Sequence, residues 1–185
     1  MSGPRVIVAG GGVIGSAIAY FLSRAGADVI LLEREDLAAG ASGAAAGMLA
    51  PLAEAPDDDP FHALCLRSFE RFPALVESLR AEAGIDPQFV RSGILRIPSD
   101  RREARAMEAA AARWQRFDVQ WLPAREAIRL EPALRPGLPG ALYSPHEGHV
   151  LSPSLTRAYA QAACRHGASL FTGRPVTGLV RRGER

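Results

Sequence analysis

Val6-Ile7-Val8-Ala9-Gly10-Gly11-Gly12-Val13-Ile14-Gly15 decides the fold: a β-branched run meets a glycine turn that opens straight into a helical pattern. That is the layout of a dinucleotide-binding strand–turn–helix. Gly10 is expected to permit the tight turn, and Gly12 to let a pyrophosphate approach the backbone. Gly15 is expected to let the helix pack closely on the strand. The helix N-terminus then offers unpaired N–H groups and a partial positive charge to phosphates.

The glycine turn alone is weak evidence, and its surroundings strengthen it. Ser16-Ala17-Ile18-Ala19-Tyr20-Phe21-Leu22 continues the helix with small residues, Gly26 stops it, and Asp28-Val29-Ile30-Leu31-Leu32 reads as a second strand. Glu33 closes that strand, roughly 20 residues past the turn, where a carboxylate typically accepts the hydroxyls of an adenosine ribose. The competing reading is a structural turn with a surface glutamate.

The next segment is unusual, because ten of the thirteen positions 38–50 are Ala or Gly. So few side chains leave little to pack, and the value of such a run lies in close backbone approach to something flat and large. A flexible linker is the alternative, against which alanine dominates and the run continues into Met48-Leu49.

Bulk properties exclude more than they identify. A chain of 185 residues is one domain, or one and a part. Its 48% hydrophobic content is ample for a core, and 22 Lys+Arg against 20 Asp+Glu point to no large electrostatic partner. The arginines are scattered among carboxylates, so no nucleic-acid face is expected. Cys65 and Cys164 are too far apart in sequence for a metal-ligand pattern and fit a reducing compartment. No run of about 20 apolar residues indicates a membrane span. The basic residue and apolar run at the N-terminus imitate a signal peptide, but glycines break the run, so mature cytoplasmic protein is expected.

Along the rest of the chain, Glu54, Asp57, Asp58 and Asp59 lie between prolines and read as a solvated loop or helix start rather than a metal cluster. Apolar spacing from Phe61 to Leu79 predicts a helix that Pro73 kinks or splits and Gly84 ends. Residues 90–97 read as one strand or a tight hairpin, 100–116 as a charged helix with a solvated face, and 119–122 as a short strand. Pro123 opens a short helix, while 141–143 and 149–151 are strand pieces. His146, Glu147 and His149 invite a metal or acid–base reading, but Pro145 and Gly148 explain their polarity as a turn. Ser152-Pro153 reads as an N-cap and first turn, Gly167 ends that helix, and 168–171 reads as a third parallel strand. Residues 175–180 are expected to start a β-meander, with 181–185 as a hairpin-like turn.

The glycine turn, Glu33-Arg34 and Ala41-Ser42-Gly43-Ala44-Ala45-Ala46-Gly47-Met48-Leu49-Ala50-Pro51 resemble the amino-terminal half of FAD-dependent glycine oxidases. These are thiamine-pathway members of the D-amino-acid-oxidase-like flavoenzymes. Leu130-Glu131-Pro132-Ala133-Leu134 is similar to their substrate-domain region. The resemblance implies an α/β fold: a Rossmann-like FAD-binding domain with an inserted α+β substrate-domain portion, incomplete at the C-terminus. Its expected parts are 1–84 (FAD-binding), 85–145 (substrate-domain portion) and 146–185 (FAD-binding, continued and truncated).

By the same resemblance, Gly10, Gly12, Val13, Ile14 and Gly15 hold the FAD pyrophosphate, Glu33 takes the ribose and Arg34 lies beside the adenosine. Ala41, Ser42, Ala46, Gly47 and Met48 line the rest of the cofactor, with Met48 nearest the ring. Val176 contacts the adenine through its backbone, and Ala50 borders the substrate pocket. No catalytic base and no metal ligand is carried over, which fits a hydride transfer that needs alignment. The implied reaction oxidises glycine or another small amine or amino acid to an oxoacid and ammonia, with dioxygen leaving as hydrogen peroxide. The arginine that holds the substrate carboxylate in the family has no counterpart here. Sibling sarcosine oxidases and D-amino-acid dehydrogenases are the alternatives within the family. A catalytically inert truncated or split-gene half is the alternative outside it. The implied partners are the substrate, dioxygen, and either further copies of the chain or a complementing C-terminal half, with no nucleic acid and no membrane.

Overall fold

The computed structural model describes residues 3–54 and 59–181. In chain order the elements are β1 (Arg5–Ala9), α1 (Val13–Arg24), β2 (Asp28–Leu32), α2 (Ala41–Ala44), β3 (Met48–Leu49) and α3 (Pro51–Glu54). They continue with α4 (Pro60–Glu70), α5 (Phe72–Ala83), β4 (Ile94–Arg96), α6 (Arg101–Arg113), β5 (Gln120–Pro123) and α7 (Ala124–Leu130). β6 (Gly140–Ser144), β7 (Gly148–His149), α8 (Ser152–Arg165) and β8 (Ser169–Phe171) complete the order. Two compact units result: Met1–Gly47, Ala74–Gln88 and Leu151–Arg185 form the first, and Met48–Pro73 with Phe89–Val150 the second. Residues 48–73 thus group with the second unit and 74–88 return to the first, a finer division than three consecutive segments.

The first unit is built on the parallel sheet β1-β2-β8, with Val8 opposite Leu31 and Leu31 opposite Leu170. The third parallel strand expected from 168–171 is therefore present. Val8, Val29 and Leu31 are buried, whereas Ile7 on the other face is 61% exposed. Helices α1 and α8 pack together through small residues. Ser16, Ala19, Tyr20 and Ser23 recur at helical spacing on the buried face of α1. Ala158, Ala162 and Ala163 lie on that of α8. Gly26 (φ +89°) and Gly167 (φ +91°) end the two helices in the left-handed conformation that only glycine adopts without strain. Beside them, the Arg24 guanidinium donates to the Tyr20 hydroxyl at 2.9 Å, which donates to Glu82 at 3.2 Å. His166 shares the other Glu82 oxygen at 2.8 Å. Burial pushes the Tyr159 phenol up to about 12.

Two expectations on this unit are corrected. Residues 175–180 form no β-meander: they have no ladder partner among the described residues, and Leu179 is 96% exposed. An extended segment becomes a strand only when a neighbour takes up its backbone groups. Ser152 is not an N-cap, because α8 already starts there, Leu151 is the cap residue and no side chain caps the helix. The Ser152 carbonyl instead accepts from the Thr156 hydroxyl at 2.8 Å. Arg182, Gly183, Glu184 and Arg185 lie outside the described residues.

The second unit carries the antiparallel sheet β4-β6-β5 and the small ladder β3-β7. α6 turns Ala104, Met107, Ala110 and Ala111 inward and leaves its arginines in solvent, as its charge pattern predicts. Its apolar face joins Leu52, Trp114, Val119 and Leu142 in one core, while Leu122, Ala127, Leu138 and Ala141 form a second. Only Ile94–Arg96 of the predicted 90–97 strand pairs along β6, and Val90 makes an isolated bridge to His149. The long helix predicted from Phe61 is split at Arg71, with Pro73 in the first turn of α5, where its missing N–H costs nothing. Asp59 is a helix start, its carboxylate accepting from His62 N–H at 2.7 Å. Asp57 and Asp58 lie outside the described residues.

Candidate functional site

The glycine turn of the first unit is built as its sequence demands. Gly10 sits at φ +109°, and its N–H donates to the Leu32 carbonyl at 2.8 Å. A Cβ on Gly15 would run into the Gly10 carbonyl, so the third glycine is what lets the helix leave the turn at this angle. A Cβ on Gly12 would stand 3.0 Å from Ser42 Oγ. Gly11, given no role by the motif reading, is also restricted: a Cβ there would meet Leu37 Cδ2 at 2.8 Å and Glu33 Cβ at 3.0 Å. Burial of a motif spacer depends on what folds over it, so sequence spacing carries no signal for it.

What folds over it is the Ala/Gly run. Ala38, in the left-handed region at φ +63°, donates its N–H to the Gly11 carbonyl at 3.1 Å. Ser42 Oγ accepts from Val13 N–H at 2.9 Å, supplying from 29 residues away the cap that Gly12 cannot. A Cβ on Gly43 would collide with the Ala38 carbonyl. The small residues therefore serve close approach of the run to the glycine turn itself, in addition to the approach of a cofactor anticipated from their composition.

Between turn and run lies a cleft of about 250 Å³ lined by Gly12, Glu33, Arg34, Gly40, Ala41 and Ser42. Glu33 is its fixed negative charge. One carboxylate oxygen accepts from Gly11 N–H at 2.6 Å and the other from Glu35 N–H at 2.8 Å. These backbone donors, Glu35 first and Gly11 next, hold the carboxyl below its ordinary range, so it is ionised at neutral pH. Each oxygen keeps a second lone-pair direction for a diol, and the two N–H bonds stop the carboxylate from swinging away. Arg34 is exposed and ion-paired with Glu35 at 3.1 Å.

The walls of this cleft suit the ribose and phosphate part of a dinucleotide. Glu33 suits ribose hydroxyls, and the N-terminus of the twelve-residue α1, with Val13 N–H taken by Ser42, suits an anion through the next N–H groups of its first turn. The fold thus brings Gly12, Glu33, Arg34, Ala41 and Ser42 together around one space; Val13 touches that set through its N–H bond to Ser42, while Gly10 and Gly15 approach each other in the turn. Ile14 is 74% exposed in the first turn of α1, and Gly47 holds a φ of +78°. Ala46 is exposed, and Val176 is 45% exposed on the strandless segment. Neither lines the cleft.

Met48 and Ala50 belong to the second unit. Met48 pairs with His149 across β3-β7 and is 55% exposed, while Ala50 is 9% exposed. Both border an apolar cleft of about 440 Å³ whose other walls include Phe61, Leu64, Phe69 and Phe72. The cluster His146, Glu147 and His149 disperses: His146 pairs with Asp118 at 2.7 Å, His149 faces the Ser92 hydroxyl at 3.3 Å, and Glu147 turns into the core. No group of metal-binding side chains occurs among the described residues. Among them, too, no helix is long and apolar enough to cross a membrane.

Residues 5–185 match the protein family described as FAD dependent oxidoreductase. Glycine oxidase of Geobacillus kaustophilus is 38% identical over 169 residues, which cover 90% of this chain and 45% of that enzyme. The crystal structure of glycine oxidase from that organism superposes with a TM-score of 0.84 over 92% of this chain and 47% of its own. A bifunctional protein ThiO/ThiG of Trichormus variabilis is 32% identical, matched over 95% of this chain and 26% of its own length. The chain spans about half the length of the glycine oxidases it matches.

Proposed function

This chain belongs to the FAD dependent oxidoreductase family, its cofactor is FAD, and from that premise we propose that it is the FAD-gripping part of an amine or amino-acid oxidase of glycine-oxidase type. The observation that carries the reading is the cleft in which Glu33, pinned by Gly11 and Glu35, faces the capped N-terminus of α1. In this reading Glu33 holds the ribose hydroxyls and Gly10 to Gly15 receive the pyrophosphate. Arg34, Ala41, Ser42, Ala46, Gly47 and Val176 complete the cofactor's surroundings. Met48 stands on the flavin side of its segment and Ala50 on the substrate side. The flavin, when bound, supplies the hydride acceptor. The chain's own residues bind, orient and exclude water, and none of those assigned here moves a proton.

The substrate proposed is glycine or another small amine, with dioxygen as the second substrate and thiamine synthesis as the setting. The second reading, a half that is inert alone or active only with a complementing chain, is an outcome of the same test; the chain covers 45% of the Geobacillus enzyme. Reconstitution with FAD decides the cofactor part through the visible flavin band after gel filtration. Peroxide release from glycine, sarcosine and D-alanine, with and without a complementing C-terminal half, decides the rest. Turnover only with an artificial acceptor assigns a dehydrogenase, and no turnover in either form overturns the oxidase reading.

A further inference from the structure

Among the described residues, Glu147 is the one carboxylate in the buried core, at 1% exposure. A buried carboxylate persists only where hydrogen bonds replace its lost water. Its Oε1 accepts from the backbone N–H of Leu52, and its own carbonyl accepts from Gly93 N–H at 3.0 Å. The residues that follow it, Gly148 and His149, pair antiparallel with Leu49 and Met48. His149 also exchanges both backbone hydrogen bonds with Val90, at 3.0 Å each. A Cβ on Gly148 would run into the Val90 carbonyl, so the strand that carries this network packs against residue 90 as closely as glycine alone allows.

The segment 48–52 is consequently held at both ends by residues 147–149. The backbone ladder fixes Met48 and Leu49, the Glu147 carboxylate fixes Leu52, and Ala50 lies between them. We propose that Glu147 is a positioning residue: by gripping the Leu52 N–H it sets the place of Ala50 and Met48 toward substrate and flavin. The proposal rests on the roles given above to those two residues. Glu147 itself touches neither substrate nor cofactor in this role.

Amide exchange at residue resolution on the FAD-loaded chain tests the grip directly. The Leu52 amide should exchange about as slowly as those of Val90 and His149. Glu147→Ala should speed it at least about tenfold while leaving Leu31 in the other unit unchanged. Glu147→Gln, whose carboxamide oxygen still accepts, should return it to within about threefold of wild type. In the same Ala variant the flavin band should shift and KM for the amine rise about tenfold, with kcat changed less than KM. A wild-type Leu52 amide that exchanges like an exposed loop overturns the proposal, even where the Ala variant fails to fold. So does an Ala variant with unchanged Leu52 exchange, or one with Leu52 freed but flavin band and KM unmoved. If wild type oxidises no amine, the functional reading falls, and the Leu52 exchange with the flavin band still decides the grip.

Discussion

Glu33 concentrates the electrostatics of the cleft between the glycine turn and the Ala/Gly run, and its titration has a definite sign. Backbone N–H groups of Glu35 and Gly11 hold it below its ordinary 4.5. A carboxyl whose folded pKa is depressed contributes stability that is fully present above the unfolded value and lost as pH falls through the folded one. The first unit's resistance to urea should therefore be level from neutrality to about pH 5 and decline below it. Glu33→Gln should remove part of that decline in a denaturation series across pH. Glu33→Ala should weaken FAD binding by about 1.5–3 kcal/mol, roughly 10- to 150-fold in Kd, read from flavin fluorescence. Gly15→Ala brings a methyl group into the Gly10 carbonyl and should cost about 1–3 kcal/mol in the urea midpoint.

At the scale of elements, α1 is held at its start by Ser42 and along its length by α8. Ser42→Ala leaves Val13 N–H without its acceptor and should cost about 1 kcal/mol, lowering the thermal midpoint and FAD affinity together. The α1–α8 contact depends on residues without bulk: Ala158 and Ala162 are fully buried. Ala158→Leu should cost about 1–3 kcal/mol by overpacking, measured by chemical denaturation, whereas the same change at exposed Ala109 should be nearly silent. These helices were legible from the apolar period and from Gly26 and Gly167, because helix ends and faces are local properties. The helix cap was not, since a side chain from a distant segment supplies it. Ser152 shows the converse: an apt N-cap dipeptide that the surrounding packing starts one residue early.

Over the whole chain, the parallel sheet of the first unit is covered on the face of Val8, Val29 and Leu31. It leaves Ile7 61% exposed on an edge strand, with Phe171 48% exposed on the sheet. Parallel sheets are stable when both faces are covered, so the chain alone should bind a hydrophobic dye and self-associate in gel filtration. Ile7→Lys should reduce that association without lowering the thermal midpoint. A monomeric wild-type chain that retains equimolar FAD would contradict this expectation.

The sequence by itself determined the strand–turn–helix, the acidic residue after the second strand, the small-residue run and the order of most helices. Each is a local pattern, set by backbone freedom, hydrophobic period or the charge a ribose requires. Tertiary structure alone decided that the Ala/Gly run lies against the glycine turn and that a side chain on Gly11 would press on Leu37 and Glu33. It alone decided that residues 175–180 form no strand among the described residues, and that Glu147 leaves a plausible ligand cluster to grip Leu52. Those outcomes depend on which distant backbone groups come within hydrogen-bond reach, and spacing along the chain does not encode that distance.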